Sequence, residues 1–124
     1  MIPRAALHDE ELAGRVLAEL ADPLHPDALD LTTVRPTDFY ELRDQRIARV
    51  LVARRTAGKS PVGTDRAVVF RLFTLPEALR LWSAIQHAWP LTPVALDRFL
   101  HLAALRRRLR ELEAERERIM EAAA

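Results

Sequence analysis

Apolar residues in this 124-residue chain recur at steps of three and four, and no useful length of it alternates apolar with polar. A step of three or four returns a side chain to the same face of a helix, whereas a step of two builds the face of a strand. The chain is therefore expected to be all-α. Proline and glycine cut the periodic stretches into separate helices. Asp9 can cap the first, which runs to about Ala21 with Leu12, Val16 and Leu20 on one face and Ala13 and Leu17 beside them. Asp22-Pro23 ends it. From there to Pro36 a loop is expected, with room for one turn at Pro26-Asp27-Ala28-Leu29, because Pro23, Pro26 and the β-branched run Thr32-Thr33-Val34 oppose a long helix.

The segment from Val34 to Val62 is punctuated at both ends. Pro36 fixes a backbone torsion, Thr37 or Asp38 can accept the orphan amides of a first turn, and Gly58 suits the left-handed residue after the last turn. Between them Tyr40, Arg43, Ile47, Val50, Leu51 and Arg54 share a face. Thr64 or Asp65 can then cap a short helix carrying Val68, Val69, Leu72 and Phe73. Thr74 caps the next, with Pro76 in its first turn and Glu77 favourable near the positive end of the helix dipole. Leu75, Ala78, Leu79, Trp82, Ile85 and Trp89 form its stripe, and Pro90 stops it.

The last helix is expected to start at Thr92-Pro93 or at Asp97 and to run to the C-terminus, more than twice the usual length of about 11–12 residues. Leu102, Leu105, Leu109 and Leu112 continue into Arg116 and Ile119 as a short heptad seam. From Glu113 to Glu121 six of the nine side chains are charged, and Glu113 with Arg116 or Glu115 with Arg118 lie within pairing reach. That tail is either solvated or pressed against another chain. The short link Pro90-Leu91-Thr92 predicts that the last two helices return as an antiparallel hairpin, with Trp82, Ile85 and Trp89 facing Phe99, Leu102 and Leu105. This divides the chain into a globular half, residues 9–73, and a hairpin, residues 74–124. The second arm outlasts the first. Its overhanging Leu109 and Leu112 then either fold back on the globular half or pair with the same hairpin of a second copy.

The order of these signals is more specific than any one of them. The Asp38-Phe39-Tyr40 opening, Ile47 seven residues after the tyrosine, and the Gly58, Pro61, Val62 exit resemble the N-terminal domain of DnaB-type replicative DNA helicases. Val16-Leu17-Ala18-Glu19-Leu20 is similar to that family's first-helix motif, with Ala18 in place of a glycine. Leu105-Arg106-Arg107-Arg108-Leu109 is similar to the arginine-rich segment of its final helix. The matches span roughly residues 11–110. The chain departs from the pattern at Asp44, Ala48 and Gly63, where the family commonly has His, Phe and Asp. The resemblance implies a non-catalytic replication domain in which Phe39, Ile47, Val50 and Leu51 build the core. Its hairpin pairs with other copies, and primase, helicase or loader docks on it. The helicase-binding domain at the C-terminus of bacterial primases resembles the same fold and often ends in a helix like Asp97 to Ala124, so it is the alternative. Trp82, Ile85, Trp89, Leu102, Leu105, Arg106, Leu109, Leu112 and Arg116 are the interface candidates.

The sequence argues against chemistry of its own. Gly58-Lys59-Ser60 lacks the features of a phosphate-binding loop: Ala53 stands where its first glycine belongs, a helix precedes it where a strand should, and Pro61 follows. His8, His25, His87 and His101 share no metal-ligand spacing. Ser60 and Ser83 lack a nucleophile-elbow pattern, and the chain has no cysteine. No enzyme activity, cofactor or metal is expected. A net charge of +1 gives no global pull towards nucleic acid. Lys59 stands alone against eighteen arginines, which we read as the mark of a GC-rich genome. The one basic cluster, Arg106 to Arg108 with Arg110, spreads round its helix. It leaves a small helical nucleic-acid-binding protein as the reading of another class, although ion pairing across a helical interface suits it better. No apolar run approaches the roughly 20 residues that span a bilayer. With no signal-peptide core at Met1-Ile2-Pro3-Arg4 either, a cytoplasmic protein is expected.

Overall fold

The computed structural model describes residues 8–21, 29–59, 62, 65–87 and 90–123. Those residues form five α-helices, α1 (Glu10–Ala21), α2 (Leu42–Thr56), α3 (Arg66–Leu72), α4 (Leu75–His87) and α5 (Pro93–Ala123), with 3-10 turns at Leu31–Thr33 and Pro36–Asp38. The fold is all-α, and the described residues contain no strand. Trp89, Pro61, Gly63, Thr64 and the turn expected from Pro26 to Ala28 lie outside the described residues.

Most helix ends sit where their capping side chains require. Asp9 Oδ1 accepts the Leu12 amide at 3.0 Å and opens α1. Asp65 Oδ1 takes the Ala67 amide at 3.0 Å for α3. The Thr92 hydroxyl takes the Ala95 amide at 3.1 Å for α5, which settles its start at Pro93 rather than Asp97. At α4, Glu77 Oε1 accepts the Thr74 amide at 3.2 Å. α2 closes with Gly58 at φ 70°, its amide on the Arg55 carbonyl and the Lys59 amide on that of Arg54. These two reversed bonds satisfy carbonyls that no further turn could reach.

The start of α2 departs from expectation. Asp38 does not cap a long helix; it ends a separate 3-10 turn, and Glu41 is the N-cap residue of α2. Tyr40 is therefore outside the helix. The buried face of α2 is Asp44, Ile47, Ala48 and Leu51. A second 3-10 turn falls in the β-branched run expected to be loop, since Asp30 Oδ1 accepts the Thr32 amide at 3.0 Å and organises it.

α1 is the centre of the molecule. Nine of its 12 residues are buried, because α2, α4 and α5 all pack against it. A helix apolar on most sides demands cover on most sides. α4 packs on α1, α2 and α3, while α5 packs on α1 and the Pro36–Asp38 turn. The antiparallel hairpin of α4 with α5 is thus not the main packing, and α4 belongs with the globular body assigned to residues 9–73. Ala78, Leu81 and Ala84 are the buried residues of α4, with Trp82 and Ile85 half-buried against the core. Leu75 and Leu79, expected on its stripe, are exposed.

Candidate functional site

The features that stand out beyond the core are a polar clamp at the root of α5 and an apolar edge along its outer part. The clamp is built on Asp38-Phe39-Tyr40. The Asp38 side chain is almost fully buried, and no charge is stable there without partners. Its Oδ2 accepts the Arg35 amide at 2.8 Å and its Oδ1 accepts Arg107 Nη1 at 2.8 Å. Arg106 donates to the Asp38 carbonyl, and its guanidinium lies 5.8 Å from the centre of the Tyr40 ring. The His8 ring leans on that tyrosine at 4.9 Å. The Gln45 amide donates to the Phe39 carbonyl at 2.8 Å, and the Phe39 ring meets Phe99 at 4.9 Å with the planes 56° apart. Two consecutive arginines of α5 thereby grip one residue of the turn.

Burial pushes the Arg106 guanidinium below its usual pKa; Asp38 pulls it back up, and Arg110 pushes it further down. An arginine nevertheless stays charged at any physiological pH. Thr37, Tyr40, Gln45, Arg106 and Arg110 line a shallow cleft of about 190 Å³ beside the clamp. That is smaller than the roughly 300 Å³ at which small-molecule sites begin.

Past the clamp α5 leaves the body. Its buried residues end with Leu96, Phe99, Ala103 and Arg106. From Ala114 to Ala123 every residue is exposed. Leu105, Leu112 and Ile119, at seven-residue steps, are 40%, 45% and 63% exposed. They lie roughly 120–160° round the helix from Phe99. Leu102 and Leu109, also at a seven-residue step, are half-buried beside them. Leu105, Leu112 and Ile119 are therefore separate from the face that holds α5 to the body, whereas Leu102 packs against the core. Of the two alternatives for Leu109 and Leu112, folding back onto the body leaves Leu112 uncovered, since it is open to solvent while Leu109 is half-buried.

Of the sequence-expected interface residues, Leu105, Leu109, Leu112 and Arg116 fall on this edge, while Leu102 packs against the core. Arg106 is buried in the clamp. Trp82 and Ile85 belong to α4 and face the core. Of the motif residues, Val16, Leu17, Phe39, Ile47 and Val62 are buried in the core, while Val50, expected in it, is half-buried against it. The basic cluster is divided, with Arg106 and Arg107 turned to Asp38 and Arg108 3.3 Å from Glu111.

The pair missed from the sequence is Asp44 with Arg80. Asp44 is fully buried, and Arg80 approaches it with Nε at 3.1 Å from Oδ1 and Nη2 at 3.3 Å from Oδ2. The same Nη2 donates to the Glu10 carbonyl at 3.0 Å, so one guanidinium ties α4 to α2 and α1. Gly14 leaves room for it, since a Cβ there would stand 3.3 Å from Arg80 Nη1. The signal was present. Asp44 sits on the face of Ile47, Ala48 and Leu51, where a lone carboxylate implies a buried cation. No group of three or more His, Cys, Asp or Glu side chains among the described residues could hold a metal ion. No described helix is long and apolar enough to cross a membrane.

The fold and this surface define a class: a small helical body from which one clamped helix extends. Comparison with protein-family models, with curated proteins and with solved structures finds no match for the chain.

Proposed function

We propose that this chain is a non-catalytic interaction domain of a DNA-replication assembly, working through the outer part of α5. The observation that carries the reading is the exposed edge of Leu105, Leu112 and Ile119 on a helix whose root is immobilised by Asp38. A rigid helix with apolar residues at heptad steps is suited to lie against another helix. Its replication setting rests on the order of motifs that resembles the N-terminal domain of DnaB-type helicases. Primase, helicase and loader are the partners this resemblance implies, and a primase's helicase-binding domain is the alternative placement. The nucleic-acid reading is weaker, since Arg106 and Arg107 engage Asp38 and the arm beyond them carries five glutamates.

Calorimetric titration with the purified replicative helicase and primase of the same source tests the assignment. Saturable binding to one of them is expected, weakened at least tenfold by Leu112→Asp combined with Ile119→Asp. Absence of binding to both removes the replication assignment. Fluorescence anisotropy with single- and double-stranded DNA across a salt series tests the other class, and salt-dependent binding lost on Arg110→Glu would favour it.

A further inference from the structure

We infer that the cleft between Tyr40, Arg106 and Arg110 receives a single carboxylate from a partner polypeptide. This site is at the root of α5 and depends neither on the outer edge nor on the replication setting. Arg106 and Arg110 stand four apart on α5, so they share one face of it. Both line the cleft with Thr37, Phe39, Tyr40 and Gln45, and no acidic side chain lines it. Arg106 is only 7% exposed and donates to the Asp38 carbonyl, so its charge is fixed in the wall. No further hydrogen bond is asked of it. Arg110 is exposed and makes no hydrogen bond or ion pair among the described residues, which leaves its fork of donors available to a ligand. Burial lowers the Arg106 pKa first, Asp38 offsets part of that, and Arg110 lowers it again. An anion held between the two guanidiniums would offset both losses. The other walls are set in advance: His8 supports the Tyr40 ring at 4.9 Å, and the Gln45 amide is held on the Phe39 carbonyl at 2.8 Å. Walls already in place reduce the ordering cost of binding. The hydroxyls of Thr37 and Tyr40 add neutral donors.

Size and surroundings select the ligand. A cleft of about 190 Å³ holds one functional group rather than a whole small molecule. That favours a group carried on a larger chain. A guanidinium fork suits carboxylate and phosphate alike, but the rest of the helix face separates them. Glu113 and Glu117 continue the face of Arg106 and Arg110, seven and eleven residues after Arg106. A nucleic-acid backbone is a continuous line of negative charge, so it would run on against these glutamates. A lone carboxylate with uncharged neighbours stops short of them.

The test is a titration of the isotope-labelled full chain, followed by NMR at constant ionic strength, with a blocked glycine peptide carrying one central glutamate. Saturable shifts of the Gln45 side-chain amide and the Arg110 Nε–H are expected, and the same peptide with glutamine in place of the glutamate should give none. Arg110→Gln should weaken binding at least about fivefold. Arg108→Gln removes the same charge from a residue that pairs with Glu111 outside the cleft, and should leave the affinity within about twofold. Amide spectra of both variants report whether the fold is kept. Equal loss from the two variants would mean attraction by general charge and overturn the site, as would equal shifts with the glutamine peptide or no saturable shift at all. Acetate binding as tightly as the glutamate peptide would make the ligand a free small acid. Inorganic phosphate or a short single-stranded DNA displacing the peptide at lower concentration would hand the cleft to phosphate chemistry. Either result overturns a polypeptide carboxylate. None of them touches the outer edge of α5, whose own test uses Leu112 and Ile119.

Discussion

At the scale of single residues, the buried carboxylates Asp38 and Asp44 do the most specific work. Each sits at 2% exposure or less, and each is matched by a guanidinium from a distant part of the chain. Removing one member of a buried pair leaves the other desolvated without compensation, which costs about 3 kcal/mol or more. Asp44→Ala should therefore lower the unfolding free energy by about that amount in a urea titration, and Asp44→Ala with Arg80→Met should recover part of it. Asp30 acts at the surface. Its carboxyl is held below the usual 3.8, first by the Thr32 hydroxyl and then by the Thr32 amide. A depressed folded pKa contributes stability that is present above the unfolded value and is lost as pH falls through the folded one. The stability difference between the unmodified chain and Asp30→Ala should thus be present at neutral pH and vanish in acid below the usual 3.8, measured by denaturant titration at both conditions.

At the scale of elements, helix ends and helix faces were legible to different degrees. Caps are local: Asp9, Gly58, Asp65 and Thr92 each act within a few residues of their own position, so sequence places them. Faces depend on what arrives from elsewhere. α4 shows this, for its stripe was expected to include Leu75 and Leu79, yet both are exposed while Leu81 is fully buried. Several apolar faces can be drawn on that helix, and the one facing α1 is used. The outer part of α5 is the opposite case, with an apolar seam apparent from spacing and left uncovered within the chain. It contributes little to the body's own stability. Ending the chain after Arg110 should change the unfolding free energy of the dilute protein by no more than about 0.5 kcal/mol, checked by urea titration.

At the scale of the whole molecule, one helix organises the rest. α1 is in contact with α2, α4 and α5, so its core residues serve three helix interfaces. Leu17 is fully buried there. Leu17→Ala should cost about 2–5 kcal/mol, a large share of the roughly 5–15 kcal/mol that holds a domain of this size, and should lower the thermal midpoint accordingly in calorimetry. The same central position explains why the expected hairpin of α4 with α5 gives way. A short link constrains where a helix begins, but not which neighbour it covers, and α4 and α5 each pack on α1.

What the sequence by itself determined is local: an all-α chain, the caps at Asp9, Gly58 and Asp65, a core containing Val16, Leu17, Phe39 and Ile47, and a heptad seam on the last helix. Helical period, capping and turn chemistry operate over a few residues and need no knowledge of the fold. Only the tertiary structure decided which residues meet at long range. It joined Asp38 to Arg106 and Arg107, joined Asp44 to Arg80, moved α4 into the body, and left Leu105, Leu112 and Ile119 in solvent. Those outcomes depend on competition among apolar faces and on where buried charges find partners. Both are settled by the assembled packing rather than by any one segment.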